Sequence, residues 1–353
     1  MKKKLFLGLL AAAAVSFTAC QKDEVISEMP QDEAISFNTY LGRGAQTKGS
    51  VIETAGLQTA GFGVYAYYTG QNDITNTKFS TAPDFMNNVK VSYSGTAWGY
   101  TDTKYWPNTE GDKISFYAYG PYDENTTNAI SVEATNTAPT LTYTVDGDVT
   151  KHMDVLFTPA QENQTKENGS VDMTFYHALS RIGFTVQASG TYSEVITLKS
   201  VKLTGKFYES GTMNLANATA SSTTTEVEGV SVTTHTINPG WNATVPSEAR
   251  EFIITEDVTA LTGEATAVGT NADYIMIIPQ TFEGSNKIKI TATYEVDGIS
   301  NTVYKETEFT FEAGKAYKFA IKIGLNEVIF SANVIAWDEN HDAFNPGTDV
   351  TIQ

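Results

Sequence analysis

The stretch Lys287-Ile288-Lys289-Ile290-Thr291-Ala292-Thr293-Tyr294-Glu295-Val296 alternates apolar and polar residues without a break. A period of two sends successive side chains to opposite faces of a pleated strand, one buried and one wet. Tyr317, Phe319, Ile321 and Ile323 repeat the pattern against Lys318 and Lys322. Before them, Glu312-Ala313-Gly314-Lys315 reads as a hairpin turn after Phe309-Thr310-Phe311. The same reading predicts strands over 35–41, 63–68, 89–93, 114–119, 140–145, 171–176, 181–187, 201–207, 252–255, 274–278 and 328–335. Short strands rich in Thr, Val, Ile, Phe and Tyr, separated by turn residues, predict an all-β chain of sandwich type. Polar stretches at 123–139, 161–170, 217–236 and 256–272 punctuate it. The third is long for a structureless loop and is expected to hold an edge hairpin in part. The second is the best linker, so the expected domains are 34–170 and 171–353.

The 353 residues are 41% hydrophobic, enough to build cores, and the length suits two domains of ordinary size. Lys and Arg total 23 against 41 Asp and Glu, a net charge of -18. That balance argues against nucleic acid or bare anionic lipid as partner, because both repel an acidic surface. One cysteine excludes a disulfide framework within the chain and a Cys-based zinc site. Four histidines, none spaced as a pair, speak against a His-ligated metal, and no cofactor is expected.

Residues 1–19 read as an export signal: Lys2, Lys3 and Lys4, then an apolar run from Leu5 to Val15. That run is shorter than the ~20 residues a membrane span needs. Phe17-Thr18-Ala19-Cys20 resembles a bacterial lipobox, with Phe17 where Leu is usual. Cys20 is the expected lipidation site, since several acyl chains anchor stably where one does not. Residues 20–33 begin Cys20-Gln21-Lys22-Asp23-Glu24, similar to the charged segment of surface-exposed lipoproteins, and read as a tether.

Motifs that could carry chemistry fail on spacing. Gly61-Phe62-Gly63 lacks the third glycine and the helix of a dinucleotide fingerprint, so sheet packing is expected. Asp338, Asn340 and Asp342 open like a calcium loop but meet Ala343 at the turn and Asp349 at the end. His177 near Ser180 has no acid placed to orient it and no nucleophile elbow, so no catalytic residue is assigned and the chain is not expected to be an enzyme. Trp98, Tyr100, Tyr105 and Trp106 read as an aromatic core, the alternative being a sugar-stacking platform on a monomeric surface lipoprotein.

Residues 34–41 alternate with Ile35, Phe37 and Leu41 on one face, then enter the polar loop Gly42-Arg43-Gly44-Ala45-Gln46-Thr47-Lys48-Gly49-Ser50. Such loops are preferred nicking sites, and a trypsin-like protease would cut after Arg43 or Lys48. Cutting would leave the strand held by non-covalent contacts alone, and its loss would open a groove that accepts a strand from another molecule. The plain alternative is a connecting loop.

Several segments together resemble the fimbrillins of Bacteroidales, the Mfa-like or FimA-like subunits of type V pili. They are the lipobox with Cys20, residues 34–41 with their basic loop, Tyr105-Trp106-Pro107 ahead of Ile114-Ser115-Phe116-Tyr117-Ala118-Tyr119-Gly120-Pro121, Asp154-Val155-Leu156-Phe157, and residues 171–186. Ala313-Gly314-Lys315-Ala316-Tyr317 and Val334-Ile335-Ala336-Trp337 complete the series. The resemblance implies two transthyretin-like β-sandwich domains in tandem, export as a lipoprotein to the outer membrane, and no catalysis. It implies that a trypsin-like or Arg-specific protease removes the first strand, and that subunits polymerise with other fimbrial subunits by donor-strand exchange. Residues 344–353, with Phe344, Val350 and Ile352 as anchors, are then a donor segment. Their thin apolar content leaves stalk, tip and anchor subunit all open.

Overall fold

The computed structural model describes residues 33–41, 54–124, 129–227, 230–269, 274–337 and 350–351. All of them belong to one unit, Glu33–Gln353. The fold is built almost wholly from strands, as the alternation predicts. Strand Ile288–Val296 buries Ile288, Ile290, Ala292 and Tyr294 and leaves the residues between them half-exposed.

The first sheet runs in the order Phe37–Leu41, Val171–His177, Leu156–Phe157, Lys113–Gly120, Phe62–Gly70, Met86–Tyr93, Trp98–Gly99, with Gln161–Gln164 also on Lys113–Gly120. Its central strands are buried on both faces. Phe62, Val64, Ala66, Ile114, Phe116 and Ala118 enter one cluster, and Tyr65, Tyr67, Tyr117 and Tyr119 enter another. Gly63 is required by this packing: a Cβ there would lie 2.3 Å from the ring of Tyr119, which is held by hydrogen bonds to Asn88 and Asp123. The Gly61-Phe62-Gly63 run is therefore sheet packing, as read from spacing.

A second sheet orders Thr266–Val268, Ser180–Ala188, Lys315–Ile323, Val328–Ala336 and Val350–Thr351, with Ile275–Ile277 also on Ser180–Ala188. A third orders Arg250–Val258, Ile196–Gly205, Ile288–Val296 and Ile299–Thr307. Phe184 stacks on Phe319, and Phe207 packs on Phe252 and Phe282, in the larger core that these two sheets share. The stretch 217–236 forms part of a two-stranded ribbon, Thr219–Val227 with Val230–Asn238, whose Ile237 packs on the larger core.

Three expectations need correction. Residues 161–170 are no linker: Gln161–Gln164 pairs with Lys113–Gly120, and the Gly169 carbonyl accepts the indole N–H of Trp106. The boundary after Ser170 does not separate the sheets, because Val171–His177 sits between Phe37–Leu41 and Leu156–Phe157. Residues 312–315 make no hairpin, because Phe309–Phe311 pairs with Gln280–Phe282 while Lys315–Ile323 joins the second sheet. The turn changes layer, and its Glu312 N–H donates to the Tyr317 hydroxyl.

His152 stitches distant segments and carries a pH prediction. Its Nδ1 accepts from the Met276 N–H (2.9 Å), so Nε2 carries the proton and donates to the Asp146 carbonyl (2.8 Å). Burial, foremost, holds its pKa below the ordinary 6.5. Protonating Nδ1 would set a donor against the Met276 N–H. A depressed folded pKa means stability that is present above pH 6.5 and lost as pH falls through the folded value. Denaturant midpoints measured from pH 7.5 to 5 should fall on acidification, and His152→Gln should flatten that dependence; an unchanged slope would contradict this role.

Candidate assembly site: the first strand and its seat

The first strand lies at the edge of its sheet, parallel to Val171–His177, with Phe37 opposite Val171 and Leu41 opposite Phe175. An edge strand has a neighbour on one side only, so it leaves without breaking the sheet in two. Period two turns Ile35, Phe37 and Leu41 inward, and all three are buried, while Tyr40 on the other face is 52% exposed. Phe37 meets Phe62 and Phe116 edge to face (6.1 and 5.8 Å) and Tyr100 at a tilt (5.7 Å). Phe175, Met173, Val171 and Leu57 belong to the same buried cluster. Three such anchors contribute roughly 5–9 kcal/mol before the cost of ordering the segment.

Backbone bonds hold the segment's start. Ile35 N–H donates to the Lys104 carbonyl and Trp106 N–H donates to the Glu33 carbonyl, each at 2.9 Å. Val171 N–H donates to the Ser36 carbonyl (2.9 Å), and the Tyr100 hydroxyl donates to the Ile35 carbonyl (2.9 Å). Ser36 bonds Ser170 and Asn38 donates to Asp172 on the outer side. Removing the segment leaves the Trp106 and Val171 N–H groups without partners, at about 1–3 kcal/mol for each that stays dry. An extended segment with apolar residues at alternate positions meets both needs at once.

The aromatic run 98–106 is part of this seat. Trp106 is 2% exposed and lies against Phe116, and Trp98 packs on Phe62 (5.0 Å). Tyr105 alone among the four is strongly exposed, at 48%. The core reading holds for Trp98, Tyr100 and Trp106 and fails for Tyr105, and the sequence did not reveal that Tyr100 and Lys104 bind the first strand. The helix Thr54–Ala60, which brings Leu57 to the cluster, was also missed; seven residues are too few to show a period.

Cys20, Arg43, Lys48, Phe344 and Ile352 lie outside the described residues, as do Asp338, Asn340 and Asp342. Arg43 and Lys48 fall between Leu41 and the helix Thr54–Ala60. Val350–Thr351 pairs antiparallel with Ser331–Ala332 and is the outermost strand of the second sheet. His177 corrects an expectation: Asp154 does orient it, with Oδ2 2.9 Å from Nδ1. Ser180 is turned away, its hydroxyl donating to the Glu312 carbonyl. Among the described residues no group of three or more His, Cys, Asp or Glu gathers to hold a metal.

Comparison with known proteins gives this geometry a context. The family model described as fimbrillin-like matches residues 53–337. The fimbrium subunit Fim1C of Phocaeicola vulgatus is 32% identical over 188 residues, 49% of either chain, so this chain spans about half the length of the curated relative it matches. The crystal structure of a fimbrial protein from Bacteroides vulgatus superimposes with a TM-score of 0.60 at 21% identity, covering 87% of this chain and 100% of that one. A structure assigned to cell adhesion from Bacteroides uniformis gives 0.53 at 17% identity, covering 86% and 99%. With residues 53–337 matched, the chain belongs to the fimbrillin-like family.

Proposed function

We propose that the chain is a fimbrial subunit with a structural and adhesive role at the cell surface. It is exported as a lipoprotein through Cys20, held at the outer membrane, and processed after Arg43, with Lys48 the second choice. It is then assembled by exchanging its first strand for a segment of a neighbouring subunit. The observation that carries this reading is the edge position of Phe37–Leu41, with Ile35, Phe37 and Leu41 buried and the basic loop directly after them. The arginine distribution supports an Arg-specific enzyme. The chain has three arginines. Arg181 is 4% exposed within Ser180–Ala188. Arg250 opens strand Arg250–Val258 with its guanidinium donating to the Val145 carbonyl. Both described arginines are thus held in strands, which leaves Arg43 as the arginine the proposal assigns to such a protease.

Residues 344–353 are proposed as the donor, through Phe344, Val350 and Ile352. The pairing of Val350–Thr351 at a sheet edge supports this, since an edge strand is free to leave. We propose that the two sandwiches meet between Val171–His177 of the first sheet and Ser180–Ala188 of the second. An Arg-specific protease added to the purified precursor should produce one cut after Arg43, a stable core and a ladder of oligomers. Arg43→Ala should abolish the cut and the ladder. A cut core that unfolds, or that stays monomeric, would overturn the reading.

A further inference from the structure

Strand Val328–Ala336 ends at Trp337, which is 5% exposed. His177 stacks on its ring at 4.1 Å with planes 7° apart. The guanidinium of Arg181 lies 5.2 Å from the same ring and 4.7 Å from that of Tyr274. Asp154 fixes His177 from behind. The backbone joins in: Trp337 N–H donates to the Gly314 carbonyl (2.9 Å), and Gly314 N–H donates to the Leu179 carbonyl (3.0 Å). Gly314 is required at this crossing, with φ +65 and a Cβ that would lie 2.3 Å from Ile237. Three pieces of chain meet here: the end of Val171–His177, the turn before Lys315–Ile323, and the end of the last long strand.

The indole N–H of Trp337 has no hydrogen-bond partner among the described residues. By contrast, Trp106 donates to Gly169 and Trp241 to Ala178. Among the described residues, Trp337 is held through its ring faces. Its position in the chain gives that hold a purpose. Trp337 is the last described residue before Val350–Thr351. A pull on residues 344–353 first parts Val350–Thr351 from Ser331–Ala332, then loads Trp337 and the Lys315–Ala336 pair. Unclamped, Val328–Ala336 would peel from Lys315–Ile323 one pair at a time.

We propose that the Trp337 clamp, formed with His177 and Arg181, is the anchor that holds the C-terminal segment to the fold while another subunit engages that segment. It is thus the point through which tension passes along a filament. This rests on the reading of residues 344–353 as donor. Trp337 is a positioning residue, acting through the stack and not by contact with the neighbour.

Single-molecule pulling on the full chain tests it. The chain, with Cys20→Ser, is held at Ile299→Cys (71% exposed) and pulled from a tag after Gln353, or from one inserted at Leu325 (41% exposed), in the turn that precedes Val328–Ala336. Pulling from Gln353, Trp337→Leu should reduce the main rupture force to about half, since forced unfolding follows the unfolding barrier. Trp337→Phe, which keeps a flat ring, should retain most of it. Neither variant should change the force when pulling from Leu325. An equal drop in both directions would reduce Trp337 to a core residue, and no drop in either would remove the anchor; both outcomes overturn the proposal. The measurement needs no assembly. Failure of the protease assay with the directional effect intact would leave Trp337 a mechanical anchor of the C-terminal segment and overturn its role in a filament.

Discussion

Replacing Phe37 with alanine will lower the stability of the unprocessed chain by about 3–5 kcal/mol, the usual cost of emptying a buried aromatic site. The ring is 4% exposed and touches Phe62, Phe116 and Tyr100, so few neighbours can relax into the space. The measurement is urea unfolding of the precursor carrying Arg43→Ala, so that no cut intervenes. The same substitution should leave a core processed after Arg43 unchanged, because Phe37 has departed with the strand. A loss below about 1 kcal/mol in the precursor would mean the strand is held by its backbone alone, where a buried phenylalanine should matter more.

Trp106→Ala should cost about as much, roughly 3–5 kcal/mol, and should do so with or without the first strand. The indole is 2% exposed, packs on Phe116 and donates to the Gly169 carbonyl, which would lose its donor. Differential scanning calorimetry of precursor and processed core, each with and without the substitution, separates the two effects. A sugar platform needs an exposed ring face, which Trp106 does not offer. A variant as stable as its parent would show that the floor of the seat is not built as described.

How much of this was legible in sequence depends on what each residue's neighbours are. Ile288–Val296 could be read outright, because one face is wet and the polar residues mark it. Phe62–Gly70 and Lys113–Gly120 show no alternation, being buried on both faces, and were recognised by composition. The strand starting at Ile196 was entered late, at 201, because the register shift between Leu198 and Ser200 breaks the period there. The wrong linker and the wrong hairpin share a cause: 161–170 and 312–315 have turn composition, but their pairing partners lie far away in the chain. Ile35, Phe37 and Leu41 were placed on the buried face by alternation alone, and the structure buries them. Their seat was not visible, since Tyr100, Lys104, Trp106 and Val171 come together only in three dimensions. The Asp154–His177–Trp337 stack was hidden for the same reason, its members being scattered along the chain.

The claim that the first strand is a replaceable part is tested most directly by returning it. A synthetic peptide of residues 34–41 is added to the processed core, and thermal midpoint and oligomer size are followed as its concentration rises. The account predicts that the midpoint climbs with concentration, the added stability reaching about 2.7 kcal/mol at a hundredfold excess over the dissociation constant, and that oligomers fail to form. A peptide carrying Phe37→Asp should do neither. A core that ignores the native peptide, keeping its midpoint and assembling regardless, would contradict the account.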